Sequence, residues 1–138
     1  MRYPEMMIAP RRAPLRELGA QELRTPEAVD GFVTESVGRT AMLVVNSICG
    51  CSSGTLLPAL QDAIARARPD TLGTVFAGAD LEATERAREL FIGYPPSSPA
   101  VALFRDRELV FMLERHQIQG RTPDAVADSL LAGLEAAE

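Results

Sequence analysis

Lysine and tryptophan are absent from this sequence of 138 residues, histidine occurs once and cysteine twice. All 14 basic residues are therefore arginine, which reads as a compositional habit of the source and not as a site. Each scarcity excludes something. With a formal net charge of -5 there is no electrostatic footprint for nucleic acid or for an anionic membrane surface. No apolar run approaches the ~20 residues that span a bilayer. Met1 to Pro14 carries Arg2 but no continuous apolar stretch after it, so it does not read as a secretory signal, and the expected address is cytoplasmic. A metal site needs about four ligands. Only His116 and acidic residues remain to complete one around the cysteines, so neither a metal nor a tightly bound cofactor is expected. What is present, 46% hydrophobic and 24% charged residues, suits one ordinary domain over residues 1–138, long enough to bury a core without staples.

The cysteines are Cys49 and Cys51, separated by Gly50. In a reducing compartment a cysteine pair is more often catalytic or metal-binding than structural. One intervening residue closes no loop large enough for a useful structural bridge.

Hydrophobic periodicity places the motif. The proline-rich start offers only a short helix around Leu15 to Leu18, and Glu22-Leu23-Arg24 reads as a short edge strand. Thr25-Pro26-Glu27 combines a cap, a first-turn proline and an acidic first turn. It opens a helix with Ala28, Val29, Phe32, Val33 and Val37 on one face, ended by Gly38. Thr40 to Asn46 is apolar at consecutive positions, the pattern of a strand covered on both faces. After Cys49-Gly50-Cys51 a helix is expected from about Ser52 to Ala67, with Leu56, Leu57, Leu60, Ile64 and Ala67 on one side and a kink at Pro58. Thr71 to Ala77 is the next strand. Asp80 is expected to cap a helix that ends near Phe91, closed by Gly93. Tyr94 to Pro99 is turn-rich. Ala100 to Phe104 and Glu108 to Leu113 flank Asp106-Arg107 as a hairpin. Thr122-Pro123-Asp124 opens the last helix, whose buried stripe is Val126, Ala127, Leu130, Leu131 and Leu134. Alternating strands and helices call for parallel pairs with right-handed crossovers, and the terminal hairpin adds antiparallel strands. The fold class is α/β, in the thioredoxin-like arrangement: a central mixed β-sheet with helices on both faces.

Cys49 thus stands between the carboxyl end of a strand and the amino end of a helix, where open α/β sheets collect reactive groups. A helix N-terminus supplies unpaired N–H groups and partial positive charge. Both favour thiolate, the form that attacks a disulfide. Cys49, the earlier and more exposed residue, is expected to attack; Cys51, entering the helix, is expected to resolve. Gly50 is expected to remove a Cβ clash and let the backbone close the small, strained Cys49–Cys51 ring. The competing reading is a pair of buried cysteines at a strand end, since free cysteine is among the most buried residue types.

Other candidates surround the motif. Ser98-Pro99 precedes a strand, where proline is tolerated. A cis Ser98–Pro99 bond would be a deliberate feature, and in a thioredoxin-like fold this loop faces the cysteines and offers backbone groups to a substrate chain; a trans turn proline is the ordinary alternative. Asn46 and Ser47 either hydrogen-bond the cysteine loop or form a turn. His116 is a possible proton shuttle or, on the reading preferred here, a surface histidine after the hairpin. Arg115 and Arg121 could hold an anionic thiol or simply be solvated.

Taken in order, Val44-Val45-Asn46-Ser47-Ile48-Cys49-Gly50-Cys51, Val75-Phe76-Ala77-Gly78 before an acidic helix, Pro96-Ser97-Ser98-Pro99 and Arg115-His116-Gln117-Ile118-Gln119-Gly120 resemble the bacilliredoxins over nearly the whole chain. The resemblance implies a thioredoxin-like fold and removal of bacillithiol, or a similar low-molecular-weight thiol, from mixed disulfides on client proteins. It also implies weak disulfide isomerase activity. Cys49 would take up the small thiol, Cys51 would resolve it, and Pro99 would be a cis-proline. The partners implied are client proteins with oxidised cysteines and the small thiol as co-substrate. The sequence lacks the Trp-Cys-Gly-Pro-Cys motif of thioredoxins proper and their buried Asp, with Leu43 at about that position, which leaves no evident proton acceptor for Cys51. Gln117 and Gln119 suggest no role. A disulfide isomerase or reductase without a dedicated small thiol, and a non-enzymatic thioredoxin-like binding module, are the alternatives. Nothing in the sequence indicates the oligomeric state.

Overall fold

Strand β2, Thr40–Asn46, is buried at all seven positions and is the middle of the molecule. A computed structural model, which describes residues 2–138, shows why its pattern has no polar face. Ala41, Leu43 and Val45 belong to one apolar cluster, while Met42 and Val44 belong to a second on the other side of the sheet. A central strand sandwiched between helical layers needs apolar side chains on both faces.

The sheet has five strands in the order β1-β3-β2-β4-β5. These are β1 (Gln21–Glu22), β2, β3 (Thr71–Phe76), β4 (Ala100–Arg105) and β5 (Glu108–Leu113). The pairs β1–β3 and β3–β2 are parallel, whereas β2–β4 and β4–β5 are antiparallel. Helices α2 (Pro26–Thr34) and α4 (Leu81–Leu90) cover one face. Helices α3 (Leu57–Arg66) and α5 (Pro123–Ala137) cover the other. This is the expected mixed sheet with helices on both faces. No helix among the described residues is long and apolar enough to cross a membrane.

Several local expectations hold through the chemistry that suggested them. The side-chain oxygens of Thr25 and Thr122 accept the Ala28 and Ala125 N–H groups at 3.1 and 3.2 Å, capping α2 and α5. Asp106 and Arg107 both adopt positive φ, 52° and 69°, the conformation of a tight two-residue hairpin turn. Val110 is extra to the β4–β5 register, which pairs Leu103 with Phe111 and Phe104 with Leu109.

Others are corrected. The expected short helix at Leu15 to Leu18 is a 13-residue helix, α1, Glu5–Glu17, with Pro10 and Pro14 inside it. Two interior prolines each delete a helical hydrogen bond. Tertiary contacts offset the loss: Ile8 and Leu15 are buried, and Arg12, 3% exposed, pairs with Asp80 at 2.8 Å. That pairing also explains why Asp80 does not cap α4 through its side chain. Its carboxylate instead accepts from Arg12 and from the Phe76 N–H at 3.0 Å. Helix α2 stops at Thr34, so Val37 lies beyond its apolar face and is 57% exposed. The edge strand ends at Glu22, before Leu23 and Arg24. The expected single helix from Ser52 is a π-helical turn, Ser52–Leu56, followed by α3. Pro58 falls at the start of α3, directly after this change of pitch, where the π-helical turn accommodates its missing N–H.

Candidate functional site

The loop between β2 and the π-helical turn is held by its own small polar residues. Buried Asn46 accepts the Ser47 N–H at 2.9 Å and the Ser52 hydroxyl at 2.7 Å through Oδ1, and its Nδ2 donates to the Arg11 carbonyl at 3.1 Å. Ser47 Oγ accepts the Cys49 N–H at 3.1 Å, and the Ser52 N–H reaches the Cys49 carbonyl at 3.0 Å. Asn46 and Ser47 thus fix the start of the cysteine loop. Ser52, which the sequence reading did not single out, completes the network. Its only sequence signal was a hydroxyl at the entrance of a helix.

Cys49 and Cys51 are both free and half-buried, with sulfurs 2.8 Å apart. Their difference lies in what they face. Cys49 opens into a surface groove of about 480 Å³, while Cys51 packs against the apolar cluster built on α3 and α5. The hydrogen bond from the Cys51 thiol lowers the Cys49 pKa below that of an ordinary cysteine, helped by the Cys51 and Ser52 N–H groups and the Arg115 charge, against a smaller desolvation penalty. Burial raises the Cys51 pKa, reinforced by donation to Cys49 and by the neighbouring thiolate. One thiol is primed to ionise while its neighbour stays protonated, the asymmetry a nucleophile and a resolving thiol require.

The expectation for Gly50 concerns the closed Cys49–Cys51 ring, whereas the structure shows the dithiol form. In that form Gly50 opens the first helical turn with a φ outside the left-handed region, and a Cβ there would meet nothing within 4 Å.

The sheet register brings the second loop to the first. Val45 pairs with Ala100, so the residue before Ala100 reaches the end of β2 from which the cysteine loop departs. That residue, Pro99, is buried, and the Ser98–Pro99 peptide is cis. Ser98 lines the groove beside Cys49. Ser97 Oγ accepts the Arg115 N–H at 2.7 Å, tying this loop to the 3-10 turn Arg115–Gln117. Opposite them, Gly78 holds φ at +88° and gives the Tyr3 ring room that a Cβ would take. Tyr3 and Gly78 both line the groove.

His116 is exposed, 3.9 Å from Glu114, and lies in a neighbouring depression and not among the residues around Cys49. Arg121 is occupied with the Gln117 and Ala125 carbonyls and Ser129, away from the groove. Gln117 takes the Glu114 N–H in a capping box, and Gln119 holds Arg115 Nε at 3.2 Å, so both glutamines have structural work. Leu43 is fully buried, and the charge acting on both thiols is the Arg115 cation. Among the described residues no three His, Cys, Asp or Glu side chains gather as metal ligands would. Arg88, absent from the sequence reading, is the groove's second cation. Its helical position showed only one of many arginines.

The family model described as disulphide isomerase matches residues 3–137. A bacilliredoxin of Salinibacter ruber is 48% identical over 99% of this chain and 81% of its own length. A bacilliredoxin of Cytophaga hutchinsonii is 48% identical over 93% of this chain and 94% of its own. One of Bacillus cereus is 43% identical over 96% of this chain and 93% of its own. Among solved structures, oxidised thioredoxin of Plasmodium falciparum superposes with a TM-score of 0.60 at 12% identity, over 86% of this chain and 99% of its own. A second match, described as a putative oxidoreductase with a thioredoxin fold, has a TM-score of 0.57 at 14% identity, over 80% of this chain and 93% of its own. At those identities the likeness concerns the fold.

Proposed function

This chain belongs to the bacilliredoxin family of thiol–disulfide oxidoreductases, and from that premise we propose that it reduces mixed disulfides between client proteins and a low-molecular-weight thiol, bacillithiol or one similar to it. The observation that carries the reading is the pair of free sulfurs 2.8 Å apart, Cys49 opening into a groove and Cys51 packed against the apolar cluster, an arrangement that lowers the pKa of the first and raises that of the second.

The Cys49 thiolate attacks the small-thiol sulfur of a client mixed disulfide. The old S–S bond breaks, the client sulfur leaves as thiolate and takes a proton from water, and Cys49 carries the small thiol. Cys51 then loses its proton and attacks Cys49 Sγ. That releases the small thiol and leaves a Cys49–Cys51 disulfide, which two electrons from an external thiol reductant return to the dithiol. The substrate loop at Ser98 and Pro99 would present backbone to the bound disulfide. The reaction needs no metal or resident cofactor, and the chain would work in the cytoplasm.

The test uses oxidised bacillithiol. In a Cys51→Ala variant, mass spectrometry is expected to find one small-thiol adduct on Cys49; in the unsubstituted protein the adduct gives way to an internal disulfide. No adduct on Cys49 refutes the proposal. The family model's description favours a second reading, a disulfide isomerase without a dedicated small thiol. It predicts turnover on a scrambled protein substrate at least as fast as on a small-thiol mixed disulfide.

A further inference from the structure

Six arginines outside the site, Arg2, Arg12, Arg16, Arg24, Arg66 and Arg86, each face a carboxylate within 4.0 Å. Among the described residues the other eight, Arg88 included, do not. The Arg88 side chain has neither an ion pair nor a hydrogen bond there, and its Nε, like Nη1 of Arg11, is shielded from solvent with no partner. Its desolvation shows as a guanidinium pKa pushed below the ordinary value. A half-buried cation without a counter-ion is costly in a chain of net charge -5 that has 19 acidic residues available. Arg88 lines the Cys49 groove, the neighbouring depression that holds Ser97 and Ser98, and a third along α4.

Arg115 stands in the same groove. Among the described residues only its Nε is engaged, by Gln119, which leaves the terminal nitrogens without a partner there, and its backbone is anchored on Ser97. None of the described residues that line the groove around Cys49 is a carboxylate. The nearby acids lie outside that groove: Glu114, in the capping box with Gln117, shares the neighbouring depression with Arg88 and Arg115, and Glu85 and Glu89, the latter paired with Arg86 at 3.5 Å, share the depression along α4 with Arg88.

We propose that Arg88 and Arg115 form an anion cradle beside Cys49 that binds carboxylate groups of the small thiol in the mixed disulfide. The inference rests on the redox reading above and adds to it the charge class of the co-substrate. Guanidinium forks suit carboxylates because they donate two parallel N–H bonds, and partial burial strengthens them. Held there, the small-thiol half lies over Cys49 and the client half remains outside. The cradle thus selects which sulfur Cys49 attacks, and the client leaves as thiolate.

The test is a charge series in a Cys51→Ser background, where the adduct on Cys49 is trapped. Second-order rate constants are measured for oxidised glutathione, which is anionic, 2-hydroxyethyl disulfide, which is neutral, and cystamine, which is cationic. Charge steering of this kind is worth roughly 10- to 1,000-fold in rate. The anionic-to-neutral ratio is expected to fall about tenfold in Arg88→Gln, to recover in Arg88→Lys, and to collapse in 0.5 M salt (on the order of a 4 Å screening length). Arg115→Gln slows all three probes, because it also weakens the Cys49 thiolate, but lowers the ratio further. An unchanged ratio in Arg88→Gln overturns the cradle while leaving the redox reading intact. Failure of Cys49 to react with all three disulfides overturns the redox reading itself.

Discussion

Cys51 places its sulfur 2.8 Å from Cys49 Sγ and acts as the hydrogen-bond donor that holds the Cys49 thiolate. The relationship is directional. Because the folded protein lowers the Cys49 pKa, its thiolate persists as pH falls through the range where an ordinary cysteine protonates. The raised Cys51 pKa keeps that sulfur protonated through the same range. Alkylation by iodoacetamide, followed by peptide mass spectrometry against pH, should show Cys49 reacting with a midpoint below that of a free cysteine and Cys51 reacting only at higher pH. In Cys51→Ala the Cys49 midpoint should move up, since the first cause of its depression is gone. Identical midpoints in the two proteins would remove the thiol donor from the account.

Asn46 gives the loop its shape from behind. It serves the Ser47 N–H, the Ser52 hydroxyl and the Arg11 carbonyl at once. Asn46→Ala strands buried donors and should cost about 1–3 kcal/mol. Urea unfolding reads the stability, and Cys49 alkylation at fixed pH reads the loop. Leu43→Ala, deeper in the same strand, should lower stability through its cavity and leave the Cys49 alkylation rate of the folded protein unchanged.

The pair Arg12–Asp80 anchors α1 to the start of α4. Replacing Arg12 by Met leaves the Asp80 carboxylate buried beside Phe76 with one partner charge fewer, and should cost about 3–5 kcal/mol. Arg12→Met with Asp80→Leu should cost less than Arg12→Met alone, because no unpaired charge is then buried. Chemical denaturation of the four corners of this cycle decides it; a double-variant loss equal to the sum of the two single losses would mean that the pair carries no coupling.

Two glycine-to-alanine changes should have opposite signs. At Gly50 a Cβ has open space, so Gly50→Ala should leave the dithiol form as stable or raise it by about 0.4–1 kcal/mol. At Gly133, on α5, a Cβ would lie 2.8–2.9 Å from three atoms of the Phe111 ring, so Gly133→Ala should cost about 1–3 kcal/mol. Thermal unfolding under reducing conditions compares them. Destabilisation by Gly50→Ala would contradict the geometry of the loop.

Much of the fold was legible because its signals are local. The run Ala41 to Val45 declares a strand with two covered faces. Thr25-Pro26 and Thr122-Pro123 declare helix starts, since a hydroxyl can reach the N–H three residues on only in that geometry. The cysteine pair stands out for the same reason: its place between strand and helix follows from pattern alone. What was illegible involves partners far apart in the chain. Pro10 and Pro14 argue locally against a helix that Arg12 and Asp80, 68 residues apart, hold in place. The π-helical turn before Pro58 answers a missing hydrogen bond with a pitch change that no periodicity announces.

The sequence by itself determined the element order, the covered central strand and the presence of two thiols at a helix entrance, because each is written in neighbouring residues. Only the tertiary structure decided that one thiol is acidified by the other, that Ser97 ties the cis-proline loop to Arg115, and that Arg88 reaches the groove without a counter-ion. Those properties depend on distance, burial and the charges opposite, and a linear chain specifies them only once the sheet register has brought its separated segments together.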